Sequence, residues 1–167
     1  MDPLPILHQR RIEANVLRHM YEAVRDRFGE AEARAVLQET VSKAAIQQGA
    51  DFAEKHERAP DLADFYDLLS LWTTEDALEI EVLESSPTTL HFNVKRCRYA
   101  EMYQEMGLGD IGDLLSCQRD GDFCIGYNPD IEFKRTQTIM KGAAHCDFRY
   151  FLSPNKGARP DGGPKED

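Results

Sequence analysis

Residues 77–95 read ALEIEVLESSPTTLHFNVK, and their alternation decides the fold class. Leu78, Ile80 and Val82 alternate with Glu79 and Glu81; after the Ser85-Ser86-Pro87 turn, Leu90, Phe92 and Val94 alternate with His91, Asn93 and Lys95. Successive side chains on a strand point to opposite faces, so the pattern predicts a β-hairpin with one apolar face. That face needs a cover.

The cover is predicted upstream, where the period is helical. Ile12, Val16, Met20, Ala23 and Val24 form a stripe on a helix over 5–28, with Gly29 as its stop. A second helix is predicted over 30–56, with Val36, Leu37, Val41, Ala44, Ala45 and Phe52 inward and Gly49 weakening its centre. Asp61 caps a third, whose apolar face is Leu62, Phe65, Leu68, Leu69 and Trp72.

Downstream, residues 98–106 return to helical spacing, Gly107 stops them, and 110–117 suit a further short helix. Asp120-Gly121-Asp122 and Tyr127-Asn128-Pro129-Asp130 read as turns. Two more strands are expected near 131–141 and 145–152. In the second, Cys146, Phe148, Tyr150 and Leu152 share one face; His145, Asp147, Arg149 and Phe151 share the other. The expectation is one α+β domain over 1–152, N-terminal helices packed on a C-terminal antiparallel β-sheet with short inserted helices. The Pro-, Gly- and charge-rich 153–167 reads as a mobile tail.

The chain has 167 residues and a net charge of −10, enough length for one core without staples. Residues 58–87 hold Arg58 against eight acids, so the acidity is local to the middle. A solvated acidic face accounts for it more simply than docking of a basic partner. Net acidity speaks against nucleic-acid binding, which needs clustered Lys and Arg. No apolar run reaches the ~18 residues of a membrane span, and the N-terminus lacks a signal-peptide pattern. The expected location is cytoplasmic, with Cys97, Cys117, Cys124 and Cys146 as free thiols. No C-x-x-C occurs, so the usual structural zinc signature is absent; a soft-metal site at Cys97, Cys117, Asp120 and Cys146 has no support from spacing, and no metal or cofactor is expected.

Residues 93–150 carry the candidate chemistry. Cys97 lies at a strand–helix junction in Lys95-Arg96-Cys97-Arg98. Flanking cations and a helix N-terminus favour a thiolate; a small buried hydrophobe is the competing reading. Strand alternation points His145 and Asp147 away from Cys146, so these three cannot make a triad. Cys117 precedes Asp120, which faces a cleft or forms an Asx turn. Cys124 reads as core. Asn93, His91, Lys95, Glu79 and Glu81 share a polar sheet face, solvated or lining a pocket. Arg135, Thr136 and Thr138, on the predicted strand, suit a substrate carboxylate.

The segments NVKRCRYAE (93–101), LLSCQRD (114–120) and RTQTIMKGAAHCDFRY (135–150) resemble the L-2-amino-thiazoline-4-carboxylic acid hydrolase family. Cys97, Cys117, Asp120, Gly142, Cys146 and Asp147 fall on that family's motif positions. The resemblance implies a bacterial hydrolase of cysteine metabolism that opens a cyclic isothiourea carboxylate to N-carbamoyl-L-cysteine. It implies Asp120 or Asp147 as base and amidinium partner, and Cys97 or Cys146 as nucleophile, with Cys117 beside them. Arg98 or Arg135 would hold the substrate carboxylate, with Asn93 and Thr138 as further binding residues. The expected partner is a small carboxylate substrate; a homo-oligomer stays open. The competing reading is a non-catalytic small-molecule binding or sensing domain on the same scaffold.

Overall fold

A computed structural model describes residues 4–153. Helices α1 (Ile6–Phe28), α2 (Glu30–Ala53) and α3 (Leu62–Thr73) precede strands β1 (Leu78–Ser85) and β2 (Thr89–Cys97). Helices α4 (Arg98–Glu105) and α5 (Arg119–Tyr127) follow, then β3 (Ile131–Lys134) and β4 (Cys146–Leu152). The strands form one antiparallel sheet in the order β1-β2-β4-β3. The α+β expectation holds. Beyond Ser153, the predicted tail lies outside the described residues. No described helix is long and apolar enough to cross a membrane.

The hairpin forms as expected, but only β2 keeps the alternation: the β1 register slips after Glu79 and after Val82, Leu78 and Ile80 are half-buried, and Val82 is exposed. Leu90, Phe92 and Val94 are buried, and β4 adds Cys146, Phe148 and Tyr150 to the same face. Helices α3 and α5 cover that face with Leu62, Phe65, Phe123, Cys124 and Tyr127. Asp61 caps α3: its carboxylate accepts from Ala63 N and Asp64 N at 2.9 and 3.1 Å, and Asp64 answers on Asp61 N.

A second core lies beside the first. There α1 packs on α2, on α4 and on the 108–115 segment, through Leu7, Ala14, Tyr21, Leu37, Val41, Met102, Tyr103 and Leu115. Gly29, at φ 92°, reverses the chain between α1 and α2. The two helices run antiparallel, since Arg10 reaches Gln48 while Tyr21 bonds Glu30. Trp72, Leu78 and Cys97 pack against both cores.

Further sequence expectations are corrected. Ile12 and Val16 are 58% and 68% exposed, and Ala44 is exposed as well. The buried line of α1 is Leu7, Arg10, Ala14 and Tyr21, a stripe interrupted in any hydropathy reading by an arginine. Residues 119–127 are helix where Asp120-Gly121-Asp122 reads as a turn. The strand predicted over 131–141 ends at Lys134, so Arg135, Thr136 and Thr138 belong to a loop. Gly49 is not a weak point of α2, because α5 crosses there against Gly126. A Cβ at Gly49 would overlap the Phe123 carbonyl oxygen, and one at Gly126 the Ile46 carbonyl oxygen.

Candidate functional site

The two cores meet at a cavity closed by charged side chains. Arg10 is 4% exposed on α1. Its Nη1 donates to both Glu13 carboxylate oxygens at 2.8 and 2.9 Å, and its Nη2 to Gln48 Oε1 at 3.1 Å. Arg119, on the first turn of α5, donates to Glu13 at 3.0 Å and to the Leu115 carbonyl at 3.0 Å. One residue on, Asp120 accepts from Arg135 Nη1 at 2.5 Å, and Arg135 Nη2 donates to the Cys117 carbonyl at 3.0 Å. Three arginines thus stand against two carboxylates. The excess positive charge suits an anionic ligand.

Cys97, Cys117, Cys146, Asp120 and Arg135 all line this cavity of about 60 Å³, with Arg10 and Arg119. The structure therefore brings together five residues that the sequence singled out. Asp120 is deep in the protein, yet 32% of its side-chain surface is open. That surface faces the cavity and its neighbour. Burial raises the Asp120 pKa, against the opposing pull of Arg135, Arg119 and Arg10. Burial also lowers Arg119 to about 10, with the Arg10 charge adding to it and Glu13 resisting. Burial opposes the charge of Arg135 too, but Asp120 outweighs it and the guanidinium pKa is raised.

The thiols behave unlike the activated cysteine that the flanking cations suggested. Burial pushes Cys97 up to about 11, although its Sγ accepts the Ala100 amide at 3.4 Å. The flanking cations are engaged elsewhere: Lys95 with Glu81, Arg96 with Glu101, Arg98 with the Glu75 carbonyl. Cys117 and Cys146 are raised as well, chiefly by burial, and Cys146 Sγ accepts the Ile139 amide at 3.2 Å. Burial thus disfavours the thiolate at all three. Iodoacetamide at pH 7.5 is accordingly expected to label Cys97 far more slowly than a free cysteine of pKa ~8.5. Peptide mass spectrometry against an unfolded control checks this, and labelling as fast as the control would contradict it.

The remaining sequence candidates lie elsewhere. Asp147 is on the opposite face of β4, where its carboxylate accepts Thr136 N at 2.9 Å, Gln137 N at 3.0 Å and the Thr136 hydroxyl at 2.6 Å. These bonds hold its pKa down despite burial. They anchor the loop that starts with Arg135, which makes Asp147 a positioning residue by geometry. Asn93 shares that outer face and accepts from Arg149 at 3.0 Å. Arg98 lines a separate surface hollow with Arg11 and Arg96. Thr138 is buried and caps the 139–141 turn through Lys141 N. It lines an open groove with Gln38, Gln118 and Lys141. Cys117 and Arg135 line both groove and cavity, so they form the partition between them.

Sequence reasoning missed Arg10, Glu13, Gln48 and Arg119. One signal was available: Leu7, Ala14, Tyr21 and Val24 follow helical spacing with a gap at Arg10. A charged residue in an apolar stripe is costly unless paired, and here it is paired. Among the described residues, no three His, Cys, Asp or Glu side chains gather as a metal site.

The family model of L-2-amino-thiazoline-4-carboxylic acid hydrolase matches residues 9–150 of the chain. No curated protein matches it. Among solved structures, it is similar to the phenol-responsive sensory domain of the transcription activator PoxR with phenol. The TM-score is 0.48 at 13% identity, over 82% of this chain and 73% of that one.

Proposed function

The chain belongs to the L-2-amino-thiazoline-4-carboxylic acid hydrolase family, and from that premise we propose that it is a hydrolase opening a small cyclic isothiourea or amidine that bears a carboxylate. The substrate we favour is L-2-amino-thiazoline-4-carboxylate, and the product N-carbamoyl-L-cysteine. The observation that carries this reading is the half-buried Asp120, opening into a cavity with surplus arginine charge beside three thiols.

In this scheme Arg119 and Arg10 face the substrate carboxylate, and Asp120 faces the amidinium. Asp120 takes a proton from water as the water oxygen bonds to the amidine carbon. The carbon–sulfur bond then breaks. The sulfur leaves with its electron pair and takes up the proton held by Asp120, the ring nitrogen keeps its proton, and the added oxygen releases its remaining proton to solvent as it becomes the ureido carbonyl. A thiol of pKa ~8.5 needs little acid assistance to leave. The raised pKa values of Cys97 and Cys146 favour water over a cysteine as nucleophile. Asp120 is the one carboxylate of the sequence candidates that lines the cavity.

The test is to incubate the purified protein with L-2-amino-thiazoline-4-carboxylate and follow new free thiol. A no-enzyme blank, Cys97→Ser and Cys146→Ser run alongside. Enzyme-dependent thiol release is expected, and retained turnover in both serine variants would set covalent catalysis aside. Saturable binding without thiol release would overturn the hydrolase reading in favour of a ligand-binding domain.

A further inference from the structure

The polar cavity does not end at Asp120. It adjoins a second cavity, also of about 60 Å³, and the two share Arg10, Trp72, Leu78, Arg119, Asp120 and Phe148 in their walls. The second lies between the sheet and α3 and α5, and its remaining walls are Phe65, Leu69, Phe92, Phe123 and Tyr150, with Gln48 at its edge. Its polar groups are those of the shared boundary and Gln48. The rings are held by one another: Phe65 to Tyr150 at 5.0 Å, Phe92 stacked on Phe148 at 4.8 Å, Trp72 edge-on to Phe123 at 5.5 Å. They form a preformed apolar chamber.

A bare zwitterionic ring accounts for only half of this site. Its carboxylate and amidinium match the arginines and Asp120, and nothing on it matches the aromatic chamber. We propose that the preferred substrate carries small alkyl groups on the ring carbon beside the sulfur and seats them in that chamber. The assignment rests on the ring-opening reading above for the polar half alone. Size favours alkyl over aryl: the chamber adds only about 60 Å³ to the adjoining polar cavity of equal volume, and the ring itself takes up the polar one, which leaves little for a second ring of the kind that fills a ~150 Å³ cavity. A methyl or methylene placed in a fitting apolar pocket is worth ~10-fold or more in discrimination.

The experiment measures binding by calorimetry, apart from turnover, to the intact protein. The probes are L-2-amino-thiazoline-4-carboxylate, its 5,5-dimethyl and 5-phenyl analogues, isovalerate and acetate. The dimethyl ring is expected to bind at least ~10-fold tighter than the parent ring, and the phenyl ring no tighter than the parent. Leu69→Phe, which fills the chamber, is expected to bring the dimethyl-to-parent ratio close to one. Equal binding of dimethyl and parent rings by the wild-type protein would overturn the chamber, while thiol release from the parent would leave the hydrolase reading intact. Tighter binding of the phenyl ring would overturn the alkyl assignment. Binding of isovalerate but not acetate, with no ring bound, would support the chamber and overturn the ring-opening reading.

Discussion

Asp120→Asn is expected to lower turnover of the ring substrate by ~10²–10⁴-fold, the range a general base contributes. The amide keeps an oxygen to accept from Arg135 but cannot take a proton from water. The wild-type pH–rate profile should show the same residue. Burial raises the Asp120 pKa, so the acid limb of kcat/KM should lie above the ~3.9 of an ordinary aspartate. Stability has the opposite sign. A carboxyl whose folded pKa exceeds its unfolded value binds more protons when folded. Its contribution is complete below the unfolded pKa and is lost as pH rises through the folded one. Urea melts of wild type and Asn variant across pH 4–7 should therefore diverge in slope, with the wild type losing stability relative to the variant as pH rises. Asp120→Ala removes the acceptor as well and leaves Arg135 unpaired beside Arg119, a loss of ~3–5 kcal/mol. An Asn variant with unchanged kcat/KM would remove Asp120 from the mechanism.

Gly126→Ala is expected to lose stability through packing alone. Helix propensity alone predicts a gain of ~1 kcal/mol for a Gly-to-Ala change inside a helix. The packing predicts the reverse. The new Cβ would overlap the Ile46 carbonyl oxygen and lie 2.8 Å from Ala50 N, both backbone atoms of α2. No side chain can swing aside, so α5 must move bodily. Overpacking typically costs ~1–3 kcal/mol, more where the neighbour cannot yield, and ~3 kcal/mol or more is expected here. That corresponds to a Tm lowered by ~6–12 °C for a chain of this size. Gly49→Ala meets the Phe123 carbonyl from the other side, with Tyr127 N at 2.8 Å, and should cost a similar amount. Because α5 carries Arg119 and Asp120, catalysis should fall with stability. Thermal unfolding of both variants checks the sign: a raised Tm would mean that the crossing is looser than the structure shows.

Periodicity determined much of this protein. The hairpin over 77–95, the Asp61 cap, the inward face of α3 and the alternation of β4 follow from side-chain geometry that any strand or helix must obey. Cys97, Cys117, Asp120, Cys146 and Arg135 were legible as candidates because their residue types and motif positions are local information. Other features depended on what packs against what. Gly121 is a turn signal by propensity, yet it lies in α5, whose course is set by the close backbone crossing with α2 at Gly126 and Gly49. Arg10 is surface by hydropathy, yet it is core because Glu13 and Gln48 satisfy its guanidinium. Asp147 and Asp120 look alike in a motif. The sheet turns one outward to hold a loop, and α5 turns the other into the cavity. Cys97 has cationic neighbours in sequence, yet those cations find carboxylates and carbonyls outside, and desolvation sets its pKa. In each case the sequence specified the residue and its local geometry, whereas burial and charge pairing, which arise only when distant segments close together, decided its role.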